Sequence, residues 1–226
     1  MAAVLGLEGE IATVAPHVDF VRIGEQVGHS SLLIDGLAGR FGQNGDGGRQ
    51  ITCFYIAGDM ADLMSLMSPT TGWGMMALTP MTILKVPHAE LRQLTLAYPG
   101  IAEAFWRDSV ADGSILSEWV VNVGRRDSIT RVAHVFCEMA LRFEQAGLGD
   151  RISYPFYITQ ADLADATGLT SIHVNRTLKV LRERSIVDFR LGVVRVHDWT
   201  KLVAIGDFDP AFLLLNAQAP RIAERG

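Results

Sequence analysis

The segment 159–182 contains the residues whose types and spacing best fit a defined chemistry, the recognition of base edges in duplex DNA. Arg176 carries a planar guanidinium that can donate two hydrogen bonds to O6 and N7 of guanine. Asn175 carries the amide that pairs with N6 and N7 of adenine. The pattern therefore predicts that Asn175 and Arg176 read bases.

Two short helices are needed to hold these side chains. Thr159 and Thr170 are candidate N-caps, and Gly168 fits the left-handed residue that ends a helix. The second helix has an apolar stripe spaced by four and then three residues, formed by Val174, Leu178 and Leu181. One face of this helix is thus predicted to pack inward, while its polar face stays free.

The residues that follow predict a small β-wing. Segment 185–196 contains two β-rich runs on either side of Gly192, which indicates a hairpin. A helical hairpin followed by a β-hairpin is typical of a winged helix. The alternative is an ordinary helical hairpin whose polar face is only solvated.

Charge is divided unevenly along the chain. Residues 1–150 contain 10 Lys and Arg against 17 Asp and Glu, whereas residues 151–226 contain 10 against 8. The C-terminal part is therefore better suited than the N-terminal part to bind a polyanion such as DNA. Its basic residues near the two helices and the wing are Arg151, Arg176, Lys179, Arg182, Arg184, Arg190 and Arg195.

Length and composition favour a globular protein of two modest domains, because the chain has 226 residues and is 49% hydrophobic. No apolar run is long enough for a membrane span, and Met1 to Glu10 lacks the pattern of a signal peptide. We therefore expect a cytoplasmic protein. Cys53 and Cys137 are far apart and form no CxxC pair, so they are expected to be buried free thiols.

The sequence of the N-terminal part predicts an antiparallel β-roll or barrel. Its β-rich runs are separated by glycine turns such as the one at residues 45–48. These runs are Val18 to Ile23, Ser31 to Ile34, Leu37 to Phe41, Gln50 to Ile56 and Met81 to Val86.

A helix from Ala89 to Tyr98 and a long helix from Ile101 to about Arg126 are predicted next. The long helix could simply pack on the roll, but its apolar and aromatic side chains also make it a candidate dimer interface, here assigned to Phe105, Leu116, Trp119 and Val123. Whether it continues through Asp112 and Gly113 is left open.

A further helix is predicted from Ile129 to Ala146, with Asp127 or Ser128 as its cap. The domain boundary is therefore placed between residues 126 and 127. Residues 1–126 would form the sensor with its dimerisation helix, and residues 127–226 would form the winged-helix DNA-binding domain.

The order of these parts, together with several local strings, resembles the Crp/Fnr family of bacterial transcription regulators. The strings are Gly24-Glu25, Leu33 to Gly36, Asp46 to Ile51, Gly58-Asp59, Ala77 to Thr79, Gly124 to Arg126 and Arg131 to His134. The run His173 to Leu178 resembles a branch frequent in alphaproteobacteria. The resemblance implies an α+β fold with an antiparallel β-roll like a cyclic-nucleotide-binding domain, a long dimerisation helix and a C-terminal winged helix-turn-helix.

The resemblance also implies contacts with DNA. It places Ser171, Ile172, Asn175 and Arg176 at the family's base-reading positions, and it places Gln160, Thr170 and His173 where phosphate contacts are usual. We add Lys179 to the phosphate set. Ile172 departs from the acidic residue found in many members, so their half-site is not assumed for this chain.

The sensor departs further from the family pattern. Asp62 stands where cyclic-nucleotide-binding members have a glutamate, and Trp73 replaces their phosphate-binding arginine. The pocket around Asp62 and Trp73 would therefore lack the countercharge for a cyclic phosphate, and no cofactor is expected. A haem ligand would have to come from His17, His29 or His88, which more often are structural histidines.

Two other classes of function stay as alternatives. A cupin-like metal enzyme is the less favoured one, because residues 1–90 contain no HxH pair and no complete ligand set. A ligand-binding or scaffold module would be indifferent to DNA. The leading hypothesis is a homodimeric regulator without enzymatic activity, which would bind double-stranded DNA and RNA polymerase and respond to an unknown effector, or to none.

Overall fold

The computed structural model describes residues 8–215 and begins with eight antiparallel strands that form a β-roll. These strands are β1 (Glu10–Val14), β2 (Asp19–Val21), β3 (His29–Asp35), β4 (Ala38–Gln43), β5 (Arg49–Tyr55), β6 (Met60–Ala61), β7 (Gly74–Ala77) and β8 (Met81–Pro87). One sheet has the order β1-β8-β3-β6 and the other the order β2-β7-β4-β5. The predicted antiparallel roll is confirmed.

Each of the five predicted β-rich runs overlaps a strand, whereas β1, β6 and β7 were not predicted. Strand β7 has the sequence Gly-Met-Met-Ala, which lacks β-branched residues. It pairs with β2 on one side and β4 on the other, and Gly74 leaves room for the ring of Phe41, which lies where a side chain at residue 74 would stand.

Three helices follow the roll: α1 (His88–Ala97), α2 (Pro99–Arg125) and α3 (Ser128–Gln145). Helix α2 is continuous through Asp112 and Gly113, which answers the question left open by the sequence. The Asp112 carboxylate accepts hydrogen bonds from Arg40 Nη1 at 2.9 Å and from the Tyr55 hydroxyl at 2.8 Å. These contacts with the roll compensate for the weak helix propensity at this point.

The C-terminal part contains β9 (Ser153–Pro155), α4 (Gln160–Thr167), α5 (Ser171–Glu183), β10 (Val187–Arg190), β11 (Val193–Val196) and α6 (Trp199–Ile205). Strands β10 and β11 form the predicted wing, and β9 adds a third strand beside β11. Asp127 caps α3 by accepting from the Thr130 amide at 2.9 Å. One continuous apolar cluster joins the roll, α2, α3 and the two helices α4 and α5.

None of the helices within residues 8–215 has the length and apolar composition needed to cross a membrane. Most of the Met1 to Glu10 segment, for which no signal peptide is expected, lies outside the described residues.

Candidate nucleic-acid interface

Helix α5 is fixed to its domain by the apolar stripe expected from the sequence. Val174 and Leu181 are fully buried, and Leu178 is buried as well. The Thr170 hydroxyl caps the helix by accepting from the His173 amide. Gly168, with φ of 63°, ends α4 in the left-handed conformation and turns the chain towards α5. The face opposite the stripe is consequently turned to solvent.

All four predicted base-reading side chains are exposed, with Ser171 beside the stripe in the first turn of the helix. The exposed residues are Ser171, Ile172, Asn175 and Arg176. Ile172 is 66% exposed although it is apolar, so it is not used by the core of the protein. Within residues 8–215 the Arg176 guanidinium has no hydrogen bond or ion pair with another side chain. Its donors therefore remain free for an external acceptor.

The predicted phosphate-contacting residues Gln160, Thr170, His173 and Lys179 surround this face and are exposed. Asn175 Nδ2 donates to Gln160 Oε1 at 3.3 Å, which joins a predicted base reader to a predicted phosphate contact. Lys179 Nζ lies 3.7 Å from Glu183, a loose exposed ion pair. The structure thus groups all eight residues on one surface, while their contacts with DNA stay a prediction.

Helix α4 is held in place from two sides. Its capping box pairs the Thr159 hydroxyl with the Asp162 amide at 3.1 Å and the Asp162 carboxylate with the Thr159 amide at 2.8 Å. Gln50 of the roll donates to the Ala166 carbonyl at 3.1 Å, and Arg131 of α3 donates to the Thr167 carbonyl at 3.1 Å. The roll therefore contacts the helical hairpin directly.

The altered sensor residues contact each other. The indole Nε1 of Trp73 donates to Asp62 Oδ1 at 2.8 Å, and the Asp62 side chain is buried. Burial raises the pKa of Asp62 to about 6, against the opposing effect of hydrogen bonds from Trp73 and Ser65. Asp62 Oδ2 has no hydrogen-bond partner in the described structure. The two residues that replace the family pattern therefore form one internal polar contact.

The histidines considered as haem ligands have separate surroundings. His17 Nδ1 lies 3.8 Å from Asp162, while His88 Nε2 lies 2.9 Å from the Ser65 hydroxyl. Burial lowers the pKa of His29 and of His88. Among residues 8–215 no group of three or more His, Cys, Asp and Glu side chains has an arrangement suited to a metal ion.

A buried charge network joins the roll to α2 and α3, and sequence reasoning missed it. It has two sets of paired groups, Asp112 with Arg40 and Tyr55, and Arg142 with Asp59 and Glu138, which we together call the charge network. Arg142 donates to Asp59 at 2.8 Å and to Glu138 at 3.3 Å. Burial raises the pKa of Asp59 and of Glu138, while the charge of Arg142 opposes that rise. The paired groups thus bridge parts of the chain that are distant in sequence.

The structure corrects the predicted dimer interface at Trp119. This side chain is only 3% exposed, and its indole Nε1 donates to Glu138 Oε2 at 2.7 Å. Its ring also packs edge-on against Phe54 of the roll at 5.4 Å. Trp119 therefore faces the interior of its own protomer and is unavailable to a partner.

The other three predicted interface residues are placed differently. Leu116 is exposed and Val123 is half-buried, whereas Phe105 packs partly against a small cluster under α1. The most exposed apolar side chains of α2 are Trp106, Val110, Val120 and Val121. Residues 106, 110, 113, 117, 120 and 124 recur at spacings of four and three, so the helical period alone contains the signal that identifies this stripe.

Three comparisons with known proteins agree with this architecture. Residues 130–205 match the family model described as the Crp-like helix-turn-helix domain. The nitrogen fixation regulation protein FixK of Azorhizobium caulinodans is 26% identical over 151 residues, which are 63% of this chain and 57% of that protein. The fumarate and nitrate reduction regulatory protein of Vibrio cholerae is 20% identical over 70% of this chain and 63% of that protein. The chain thus spans less than two thirds of these curated relatives.

Solved structures share the fold across most of the chain. FixK2 from Bradyrhizobium japonicum has a TM-score of 0.78 at 19% identity, covering 88% of this chain and 98% of that one. A CooA mutant from Carboxydothermus hydrogenoformans has a TM-score of 0.71 at 14% identity, covering 88% of both chains. At these identities the likeness concerns the fold.

Proposed function

We propose that this chain, which belongs to the Crp/Fnr family of transcription regulators, binds duplex DNA as a homodimer and reads an inverted repeat through α5. The observation that carries the proposal is the free face of α5. Four base-reading candidates are exposed there on a helix whose opposite side is buried. A helix held in this way can enter a major groove without rearrangement of the core.

Within the groove, Arg176 contacts a guanine through two donated hydrogen bonds and Asn175 contacts an adenine. Ser171 adds a hydroxyl that can donate or accept. Ile172 contacts a thymine methyl group, since an exposed aliphatic side chain at this position has no polar atom to offer. The half-site therefore differs from that of family members with an acidic residue here.

Gln160, Thr170, His173 and Lys179 contact phosphates and fix the register of the helix on the duplex. The hydrogen bond between Gln160 and Asn175 supports a phosphate-contacting role for Gln160 and a base-reading role for Asn175. A phosphate-bound Gln160 would also orient the amide of Asn175. Arg182, Arg184, Arg190 and Arg195 add positive charge around the same surface. Affinity is consequently expected to fall steeply with salt.

Two protomers associate along α2, through the stripe of residues 106, 110, 113, 117, 120 and 124 and through the exposed Leu116 and Val121 of the same helix. Gly113 and Gly124 have no atom near the position of a side chain, which leaves space for the close approach of a second helix. Paired in this way, two α5 helices would address half-sites about one helical turn apart.

The division into a sensor of residues 1–126 and a DNA-binding domain of residues 127–226 is retained as a proposal. RNA polymerase is the proposed protein partner, the protein acts in the cytoplasm, and it has no catalytic activity of its own. Its effector is not a cyclic nucleotide, because Trp73 supplies no charge for the phosphate.

Selection of duplexes from a random pool tests the proposal. Purified protein should recover an inverted repeat, and Arg176→Ala should weaken binding to it by about 1–3 kcal/mol, as for the loss of a bidentate base contact. Arg22→Ala, which removes an exposed arginine of the roll, is the matched control and should bind as the parent protein does. Recovery of no preferred sequence would refute specific DNA recognition.

A further inference from the structure

We propose that Gln50 of the roll is a positioning residue for DNA recognition, because its contact with the end of α4 fixes the angle of α5 relative to α2. In a dimer paired along α2, that angle sets the distance between the two α5 helices and so the half-site spacing that the protein accepts. This inference rests on the proposed function and deepens it, since it assigns the spacing preference to a residue outside the DNA-reading surface.

The carbonyl groups at the end of α4 accept hydrogen bonds from two other parts of the chain. Gln50 Nε2 donates to the Ala166 carbonyl at 3.1 Å, and Arg131 Nη1 donates to the Thr167 carbonyl at 3.1 Å. Carbonyl groups in the last turn of a helix have no partner within the helix, so water or a cap usually satisfies them. Arg131 belongs to α3, whereas Gln50 comes from the roll. Gln50 therefore links the roll to the helical hairpin through a group that the helix itself leaves unpaired.

Gln50 is held firmly on its own strand. Its Nε2 also donates to the Ile51 carbonyl at 3.0 Å, which orients the amide, and the Ile51 side chain is buried. The preceding residue, Arg49, donates two hydrogen bonds of 2.8 Å to Asp19 and lies over the ring of Phe41. A donor on a strand supported in this way can fix the position of the group that it binds.

The roll also approaches α4 at its first turn. His17 Nδ1 lies 3.8 Å from Oδ1 of Asp162, and Oδ2 of Asp162 accepts hydrogen bonds from the amide and the hydroxyl of Thr159. Residues of the roll thus face both ends of α4, with His17 at its start and Gln50 at its end.

The turn between α4 and α5 lies where the roll and α2 meet the helical hairpin. A Cβ atom on Gly168 would stand 3.6 Å from Gln50 Oε1 and 3.7 Å from Val123 Cγ1 of α2. Helices α4 and α5 are joined at this turn and share one closely packed apolar cluster, so they move together. The contact of Gln50 with α4 therefore also fixes α5 relative to α2, the helix along which the protomers pair.

The test compares Gln50→Met with the parent protein on the selected operator and on duplexes whose half-sites are one base pair closer or further apart. Methionine keeps the length of the side chain but cannot donate to the Ala166 carbonyl. Affinity for the selected operator should fall about threefold to tenfold, as for the loss of one hydrogen bond. The preference for the selected spacing should fall as well, because α5 then samples more angles. Affinity for a duplex with a single half-site should stay unchanged, since the base-reading side chains are intact.

Gln43→Met is the matched control, because Gln43 lies on the neighbouring strand β4 and its amide donates to the Gly47 carbonyl within the same hairpin. It should leave both affinity and spacing preference unchanged. Equal spacing preferences of Gln50→Met and the parent would overturn the inference. Equal losses on the single half-site and on the full operator would overturn it too, since the damage would then lie in α5 itself.

A measurement without DNA separates this inference from the proposed function. Spin labels on Met67→Cys of the roll and Glu183→Cys of α5, both at exposed positions, report the distance between these two parts. The native cysteines are buried, and an excess of unlabelled protein ensures that distances within one protomer dominate. Gln50→Met should broaden the distribution of this distance, and an unchanged distribution would overturn the inference. If the distribution broadens but the parent selects no duplex, the failure belongs to the proposed function.

Discussion

The charge network and the free face of α5 use the same kinds of side chain in opposite ways. In the network, the mostly buried Arg40 is paired with Asp112 of α2, and the mostly buried Arg142 is paired with Asp59 after β5 and with Glu138 one turn away on α3. On α5, Arg176 is exposed and has no such partner within residues 8–215. Buried pairs fix the relative positions of elements, whereas an unpaired exposed guanidinium keeps its donors for a ligand. The first group should therefore control folding and the second only binding.

Among substitutions in the charge network and on α5, the largest change in the free energy of unfolding is expected for Arg142→Met. Removing this guanidinium leaves the fully buried Glu138 without its cation and the partly exposed Asp59 without its partner, which should lower the free energy of unfolding by about 3–5 kcal/mol. Urea unfolding measures the change. Arg151→Met is the control, because Arg151 pairs with Glu144 at the surface and its loss should cost about 0–1 kcal/mol. Equal losses in the two variants would contradict the contrast between buried and exposed pairs.

The ionisation of Asp62 is expected to change the free energy of unfolding by about 3 kcal/mol as the pH changes. Because burial raises the pKa of Asp62 to about 6 in the folded protein, the folded state binds the proton more tightly than the unfolded state does. The resulting stabilisation is present below about pH 4 and is lost as the pH rises to about 6.

Urea unfolding of the parent and of Asp62→Asn across this pH range provides the measurement. The stability of the parent relative to the variant should fall by about 3 kcal/mol between about pH 4 and pH 7. Parallel pH profiles would show that the Asp62 carboxyl does not titrate in this way.

A smaller effect is expected for Trp119→Phe, which removes the donor to Glu138 but keeps an aromatic ring. Leaving a buried carboxylate oxygen without this donor should cost about 1–3 kcal/mol in the free energy of unfolding. Trp106→Phe, at an indole that is 71% exposed, should change it by less than about 0.5 kcal/mol at the same protomer concentration. A larger loss in the free energy of unfolding for Trp106→Phe than for Trp119→Phe would contradict the burial of Trp119.

The smallest effect on stability is expected for Lys179→Gln on α5. Its exposed pair with Glu183 should contribute at most about 0.5 kcal/mol to folding. Binding should respond instead, since the loss of one phosphate contact reduces the slope of log affinity against log salt by about 0.9. Lys85→Gln removes an equal charge from the roll and should leave that slope unchanged. A slope equal to that of the parent for Lys179→Gln would remove Lys179 from the phosphate set.

What the sequence predicts correctly in this chain depends mainly on neighbours along the chain. The caps of α4 and α5 involve residues three apart, and the stripe of α5 follows the helical period, so local patterns are enough. Arg40 and Asp112 are 72 positions apart, and no pattern in either segment indicates that they meet. The charge network could therefore be found only after folding brings its members together.

Trp119 illustrates a second limit of the sequence. The helical period assigns it to an apolar face of α2, but this helix has apolar residues on two faces. One face packs on the roll and α3, and the other is exposed. The indole donor is satisfied by the buried carboxylate of Glu138, which only the tertiary structure reveals. Apolar character alone therefore does not distinguish the core from an interface.

The anchoring of α2 at Asp112 has a mechanical consequence. The helix has 27 residues and is therefore about 40 Å long, with Asp112 close to its midpoint. Trp119 lies seven residues after Asp112 and packs against Phe54, so α2 is attached to the roll at two points about 10 Å apart. A rod attached at two points cannot pivot about either of them, so a displacement at Pro99 would carry the roll with it. Only two residues separate Arg125 from α3, so these attachments couple the roll, α2 and α3 mechanically.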